Sequence, residues 1–170
     1  IIDGESEDLL IDAKGFNFDA AQLQAAVDAY NETGATDGFD AIFQNVAYDF
    51  TGNNGGDYLV GGAFGDKFNG AGGTNEFTGN GGADIFVVHG AGDTTVTDFS
   101  INGSDRIDVS GFGLIRSMQD IDPLAHATGV DDDHPDGTGT VIDFGNGDIL
   151  TLPGVVLNDL SDDDFIFASN

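Results

Sequence analysis

A nine-residue period runs through residues 52–87 and constrains the fold more than any other feature of the sequence. Four consecutive rows read GNNGGDYLV, GGAFGDKFN, GAGGTNEFT and GNGGADIFV. Glycine opens every row, the sixth column holds Asp57, Asp66, Asn75 and Asp84, and the eighth column holds Leu59, Phe68, Phe77 and Phe86. Extending the period adds Asp93 and Tyr48 to the sixth column and Phe50 to the eighth. Such self-similarity is typical of repeat architectures.

Each row predicts a glycine-rich turn followed by a short strand. Along the strand, alternation points the eighth-column side chain inward and its neighbours outward. If two rows complete one coil, each turn stacks on the turn two rows later, which pairs 52–57 with 70–75 and 61–66 with 79–84. The sequence therefore predicts an all-β fold with short helices, built around a right-handed parallel β-roll with a thin core.

The charge of the chain points to a cation. There are 31 acidic residues against 4 basic ones, for a net charge of −27. Nucleic acid and anionic membrane surfaces are excluded as partners, because both require a basic patch. Self-repulsion at this charge opposes compaction unless cations neutralise it. Cysteine is absent, which leaves no disulfides and no thiolate metal sites, and no apolar run is long enough to span a membrane.

Stacked glycine-rich turns offer the oxygen ligands that a hard cation needs. Calcium takes roughly six to eight oxygens at about 2.3–2.6 Å, and two turns can supply backbone carbonyls together with a carboxylate each. Glycine lets successive carbonyls converge on one point at little conformational cost. The alternative is a turn array without metal, which the constant nine-residue spacing of the carboxylates disfavours.

These rows resemble the nonapeptide G-G-x-G-x-D-x-U-x of RTX proteins, in which U is apolar. The resemblance implies calcium ligands from the sixth-column side chains and from alternating turn carbonyls. The side chains are Asp57, Asp66, Asn75, Asp84 and Asp93, and the backbone positions are Gly52, Asn54, Gly56, Gly61, Ala63, Gly65, Gly70, Gly72, Thr74, Gly79, Gly81 and Ala83. Asn75 is neutral and Phe64 replaces a usual glycine, so we expect the site between 52–57 and 70–75 to be the weaker one.

A second, longer repeat follows the roll. TTVTDFSINGSDRIDVSGFG (94–113) is echoed by GTVIDFGNGDILTLPGVV (139–156), and both copies predict strand, turn, strand. Asp98, Asp105 and Asp143 either bind an extra calcium each or cap the hairpin turns, and the sequence leaves both readings open. A half copy at 11–16 indicates that the chain opens inside such a unit, as the tail of a longer protein.

These patterns divide the chain into three regions. Residues 1–50 are an N-terminal strand and helix segment, 51–95 the β-roll, and 96–170 the hairpin units of β-sandwich-like character. Asp19 and Gln22 predict a capped helix over 20–33, with Gly34 just past its end. Its core face is Leu23, Ala26, Val27 and Tyr30. A weaker helix is expected over 117–127, interrupted at Asp122-Pro123, and a last short turn at 161–164.

Motifs for other chemistry are weak. The acidic stretch DDDHPDGTGTVID (131–143) fails the EF-hand pattern at the third and twelfth positions and favours a solvated loop. His89, His126 and His134 lack the spacing of a zinc enzyme, and no G-x-S-x-G nucleophile motif occurs. We therefore expect no enzyme in this chain; catalysis would need a further domain upstream of Ile1.

The region from about residue 50 onwards also resembles the C-terminal part of type I-secreted RTX proteins. Nonapeptides are followed by V-x-D-F and D-x-I-D-x-S-G-F, and then by an acidic residue and apolar ones, Asp164-Phe165-Ile166-Phe167. The resemblance implies a secretion signal read by an ABC transporter complex, a Gram-negative source, and an extracellular or cell-surface location. It favours a calcium-dependent folding and secretion module. The alternative is a structural or adhesive subunit of a larger extracellular assembly.

Overall fold

The computed structural model describes residues 20–35, 37–43, 46–101, 104–127 and 139–169. Two helices come first, α1 (Ala20–Thr33) and α2 (Asp37–Phe43). The strands and the third helix are β1 (Asp49–Thr51), β2 (Tyr58–Val60), β3 (Lys67–Asn69), β4 (Thr74–Thr78), β5 (Ile85–Val87), β6 (Asp93–Val96), β7 (Arg106–Asp108), α3 (Met118–Ile121), β8 (Ala125–Ala127), β9 (Gly139–Gly145), β10 (Asp148–Pro153) and β11 (Phe165–Ile166). Short 3₁₀ turns lie at Ser110–Phe112, Asp122–Leu124, Leu157–Asp159 and Asp162–Asp164.

Successive strands from β1 to β7 alternate between two sheets. Sheet A has the order β1-β3-β5-β7-β11, and sheet B has the order β2-β4-β6-β10-β9-β8. All pairings in sheet A are parallel, as are the pairings of β2 with β4, β4 with β6 and β6 with β10 in sheet B. Because each strand pairs with the strand two further along, two rows make one coil. The predicted parallel β-roll is confirmed.

The core of the roll is a column of eighth-position side chains in register. Phe50 pairs with Phe68, and Phe68 with Phe86, along sheet A, and their stacked rings lie 5.2 and 5.1 Å apart. Phe77 of sheet B faces them, with its ring centroid 5.5 Å from that of Phe68. Phe68, Phe77 and Phe86 are fully buried, and burial of each contributes about 1.5–3 kcal/mol. The nine-residue period therefore places these rings in register from one coil to the next.

The coil lengthens towards its C-terminal end. In the first coils, equivalent residues are 18 apart in sequence, as the hydrogen bond between Asp57 and Asn75 shows. In the next coil they are 19 apart, because the hydroxyl of Thr78 hydrogen-bonds to that of Thr97. The extra residue moves Asp93 into register with Thr74 and leaves Thr94 beside Asn75. Asp93 is exposed, whereas Thr94 is buried. The prediction that Asp93 continues the carboxylate column is therefore wrong.

The two copies of the longer repeat adopt different topologies. β9 and β10 form the antiparallel hairpin predicted for 139–156, and Gly145, Asn146 and Gly147 all have positive φ in its turn. β6 and β7, from the first copy, lie in different sheets. The predicted strand, turn, strand pattern at 94–113 is thus one further coil, because the long connection from β6 crosses from sheet B to sheet A. The sheets show no break near residue 95.

The helical predictions hold in part. Helix α1 ends at Gly34, which has φ +73° and donates its N–H to the Tyr30 carbonyl at 2.8 Å. Ala26 is buried as predicted, but the prediction that Tyr30 belongs to the core is wrong, because its side chain is 53% exposed. Asp19 and the side chains of Gln22 and Leu23 lie outside the described residues.

The expected helix at 117–127 is confined to α3. Pro123 and a 3₁₀ turn follow it, and the chain then becomes strand β8. None of the helices that the structure describes combines the length and apolar character needed to cross a membrane.

Candidate metal centre

The glycine-rich turns stack directly on one another. A Cβ on Gly65 would lie 2.6 Å from the Ala83 carbonyl oxygen, so only glycine fits there without a shift. All twelve turn positions predicted as carbonyl ligands take part in this stacking. The stacked pairs are Gly52 with Gly70, Asn54 with Gly72, Gly56 with Thr74, Gly61 with Gly79, Ala63 with Gly81, and Gly65 with Ala83. The pairing of turns predicted from the period is confirmed.

Three carboxylates, Asp66, Asp84 and Asp105, form an acid column on one side of the roll. Each accepts, through Oδ1, the backbone N–H of the residue one coil earlier. Tyr48 donates to Asp66 at 2.7 Å, Asp66 donates to Asp84 at 2.7 Å, and Asp84 donates to Asp105 at 3.0 Å. All three are buried. The column therefore holds its carboxylates along the roll axis, one from each coil.

The second carboxylate oxygen distinguishes Asp84 from its neighbours. Oδ2 of Asp66 accepts the Gly62 N–H at 2.6 Å, and Oδ2 of Asp105 accepts the Ser100 N–H at 3.0 Å. The amide equivalent to Gly62 in the next turn is Asn80, and it donates to Asp98 at 2.8 Å instead. No hydrogen bond from the described residues reaches Oδ2 of Asp84, which is 1% exposed. Asp84 thus keeps one oxygen available inside the turn.

Negative charge accumulates around Asp84. The pKa of Asp84 is raised to about 7, mainly by burial and also by the carboxylates of Asp105, Asp66 and Asp98, against a lowering by the Asp66 N–H. Burial also raises the pKa of Asp66. The hydrogen bonds that hold these carboxylates come from uncharged amides. A cation in these turns would lower the pKa of Asp84 again, because it favours the ionised carboxylate.

The opposite side of the roll carries a mixed column of Asp57, Asn75 and Thr94. Asn75 Oδ1 accepts the Asp57 N–H at 3.1 Å, which repeats the bond of the acid column. Its Nδ2 donates to two carbonyls, Gly72 O at 3.2 Å and Ala91 O at 2.5 Å. The Thr94 hydroxyl is buried and has no hydrogen-bond partner among the described residues. This column holds one carboxyl group where the acid column holds three.

Asp98, Asp105 and Asp143 all cap turns. Asp98 accepts the Gly79 N–H at 2.8 Å and the Asn80 N–H, Asp105 accepts the bonds described above, and Asp143 accepts the Gly145 N–H at 2.8 Å. Of the two alternatives for these residues, the hydrogen bonds in the structure support turn capping. Calcium binding by these residues stays a prediction.

Sequence reasoning missed Asp148 as a cap and Asp105 as the last member of the acid column. Asp148 accepts the N–H groups of Gly90 and Gly92 at 3.2 and 3.1 Å. A signal for both was present: Asp105-Arg106-Ile107 and Asp148-Ile149-Leu150 repeat the D-x-U pattern of the nonapeptide. They fall outside the strict period because the coil has lengthened.

The expected secretion signal lies at the last strand of sheet A. Ser161 and Asp164 form a reciprocal capping box, with the Ser161 N–H 2.8 Å from Asp164 Oδ2. Phe165 is buried and pairs with Ile107 of β7, and its ring stacks on that of Phe167 at 5.8 Å. Most of the acidic loop, 131–138, lies outside the described residues.

The donor set of the acid column fits calcium. It consists of hard oxygens only, from carboxylates and stacked turn carbonyls. Among the described residues, no three or more acidic, histidine or cysteine side chains gather closely enough to share a metal ion. A site here would therefore draw most of its ligands from backbone carbonyls, which is the arrangement that close-stacked glycine turns provide. The mixed column fits less well, because Asn75 is neutral and its Nδ2 already donates to the carbonyls of Gly72 and Ala91.

The fold and these turns define a two-sheet parallel β-roll with acidic turns. No family model matches the sequence, and no curated protein matches it significantly. Among solved structures, the chain is similar to the solution structure of the AlgE6R3 subunit from the Azotobacter vinelandii mannuronan C5-epimerase, at 22% identity and a TM-score of 0.28, over 74% of this chain and 80% of that chain. At that TM-score the likeness carries no argument, and the fold rests on the strand pairing itself.

Proposed function

We propose that this chain is a calcium-binding β-roll module of the RTX type, which folds when calcium enters the turns of the acid column and has no catalysis of its own. The observation that carries the proposal is Asp84. It is a buried carboxylate with one oxygen unpartnered among the described residues, in a column with two other buried carboxylates. Isolated buried charge is costly unless a partner compensates it, and calcium is the partner this oxygen-only donor set suits.

The net charge of −27 gives calcium a second role. Without divalent cations, repulsion among the carboxylates opposes formation of the stacked turns. Calcium bound by the folded state alone stabilises that state by mass action. The ligands would be Asp84 and Asp66, with carbonyls of the turns 61–65 and 79–83. Asp66 contributes charge, although both its oxygens also accept amide hydrogens.

The proposal places folding outside the cell. Calcium is scarce in the cytoplasm and abundant outside it, so the chain would stay unfolded during export by a type I ABC transporter complex and fold afterwards. This step rests on the resemblance of the C-terminal motifs to those of secreted RTX proteins. It implies a Gram-negative source and an extracellular or surface location.

Far-UV circular dichroism during a calcium titration tests the proposal. We expect the β-sheet signal to appear cooperatively as calcium is added to chelator-treated protein, and to disappear again with excess chelator. Magnesium at the same concentration is the control and should have little effect, because it demands near-octahedral geometry and dehydrates reluctantly. A β signal that is unchanged by chelator would overturn the proposal.

A cluster of exposed apolar side chains favours a second candidate function. Tyr58 and Val60 lie on the outer face of β2, the edge strand of sheet B, and are 66% and 44% exposed; Phe64 in the following turn is 47% exposed. Such a patch suits a structural subunit of an extracellular assembly. Light scattering with calcium distinguishes the two candidates. The assembly role predicts self-association that is abolished by Tyr58→Ser and by Phe64→Ser. Leu114→Ser, at an 85% exposed site, is the control and should leave self-association unchanged. A protein that stays monomeric contradicts the assembly role.

A further inference from the structure

We infer that the side-chain amide of Asn75 takes the place of a cation in the turns of the mixed column, so that these turns close without calcium. The inference rests on the proposed function, because it divides the roll into a side that needs calcium and a side that does not. The amide bridges turn 70–75 and the turn that holds Ala91; the weaker calcium site expected between 52–57 and 70–75 stays a prediction.

The amide nitrogen of Asn75 sits where two carbonyls converge. Gly72 and Ala91 occupy the same position in successive turns, 19 residues apart, since Gly73 also stacks on Gly92. Gly72 is one of the carbonyl ligands that the RTX resemblance implies. An NH₂ group that donates to both carbonyls satisfies them as an ion would. The hydrogen-bond partners for a cation are thus already taken.

The orientation of the Asn75 amide follows from its neighbours. The Asp57 N–H is a donor and needs an acceptor, which Oδ1 provides at 3.1 Å. The reversed amide would direct Nδ2 at that N–H and Oδ1 at two carbonyl oxygens, so that all three contacts would be repulsive. The network therefore fixes which atom faces the carbonyls.

Asp84 and Asn75 differ by a single group at equivalent places. Each accepts the N–H of the sixth-column residue one coil earlier through Oδ1. The second terminal atom differs. In Asn75 it is Nδ2, which donates to two carbonyls, whereas in Asp84 it is Oδ2, which accepts no hydrogen bond from the described residues. Because asparagine and aspartate have the same shape, exchange between them should move the metal requirement from one side of the roll to the other.

A reciprocal exchange tests the inference, with bound calcium counted by native mass spectrometry at a series of calcium concentrations. Asn75→Asp should bind one calcium ion more per chain than the wild type, because its second oxygen then faces two carbonyls across an ion. Asp84→Asn should bind one fewer. The double variant should return to the wild-type count. Circular dichroism at saturating calcium checks that each variant is folded, and if Asp84→Asn fails to fold, Asn75→Asp alone decides.

The outcomes separate the inference from the proposed function. A wild type that binds no calcium overturns the proposed function. A wild type that binds calcium, with an unchanged count in Asn75→Asp, overturns the inference alone. Hydrogen exchange of the Asn75 side-chain amide, followed by NMR in the calcium-loaded protein, gives an independent readout. Slowed exchange relative to the exposed Asn158 amide supports the inference, and equal rates overturn it.

Discussion

The acid column and the mixed column share one backbone geometry and differ in chemistry. In both, Oδ1 of a sixth-column side chain accepts an N–H from the coil before it, at 2.7 Å for Asp84 and 3.1 Å for Asn75. Coil stacking therefore depends on an oxygen that aspartate and asparagine both have. The second terminal atom decides whether the turn carries buried charge. Coil stacking and the proposed metal requirement therefore reside on different atoms of the same side chain.

Truncation at the two equivalent positions should give the largest contrast. Asp84→Ala removes a carboxylate that we propose as a calcium ligand, and we expect the calcium midpoint of folding to rise roughly tenfold or more, since ~1.4 kcal/mol is tenfold. Asn75→Ala leaves Gly72 O, Ala91 O and the Asp57 N–H without partners, at a cost of about 1–3 kcal/mol whether or not calcium saturates the protein. Calcium titration and urea unfolding at saturating calcium measure the two effects. Equal shifts of the calcium midpoint would contradict the division into two columns.

Acid should substitute for calcium in the acid column alone. The pKa of Asp84 is about 7 in the folded state against a usual 3.8, so the folded state binds more protons between these values. The free energy of unfolding of the calcium-free protein should therefore fall as the pH rises from about 4 to about 7. The β-sheet signal of chelator-treated protein, followed by far-UV circular dichroism from about pH 7 down to about pH 4, measures it, because protonation should restore part of the fold that calcium otherwise stabilises.

The matched control for this pH dependence is Asp84→Asn, which removes the Asp84 carboxyl and should make the profile shallower, with the raised pKa of Asp66 as the remaining contribution. Asn75→Ala, which removes no titrating group, should keep the slope. A wild-type profile that rises with pH across this range would contradict the raised pKa of Asp84.

The smallest expected effect concerns the end of the mixed column. The buried Thr94 hydroxyl has no partner among the described residues, so Thr94→Val should leave stability unchanged or raise it by up to about 1 kcal/mol. Thr140 is the control, because its hydroxyl is equally buried but donates to the Val155 carbonyl at 2.8 Å. Thr140→Val should cost about 1 kcal/mol. Thermal unfolding compares the two, and a larger loss at Thr94 would show that its hydroxyl has a role that the contacts do not explain.

The sequence predicted the roll well where the period is strict. Between residues 52 and 87 every row has the same length, so column position and spatial position coincide. The pairing of turns, the aromatic core and the place of Tyr48 above Asp66 all follow from that register. The order of these strands in the two sheets could also be predicted from the period, because with two strands per coil each strand pairs with the strand one coil before it and the strand one coil after it.

Prediction failed where the sequence pattern does not fix the length of a connection. The copies at 94–113 and 139–156 have similar residues, yet only the second closes as a hairpin, since its turn is three residues of positive φ. The first has a longer connection that reaches the opposite sheet. The role of Asn75 was also hidden, because its two carbonyl partners come from different coils. Only the stacked structure brings Gly72 and Ala91 to the same nitrogen.

The lengthened coil after β5 has a consequence for how arrays of this kind change over time. One additional residue, in a segment where Val88 is buried, was enough to turn Asp93 outward and bring Thr94 inward, because side chains alternate along a strand. A carboxylate can therefore leave the interior through an insertion while its codon stays intact. Deletion of one residue from 88–92 would reverse the change. A neutral residue, as at Asn75, and a longer coil, as before Asp93, are thus two separate ways in which a turn lacks a buried carboxylate while the coil itself is kept.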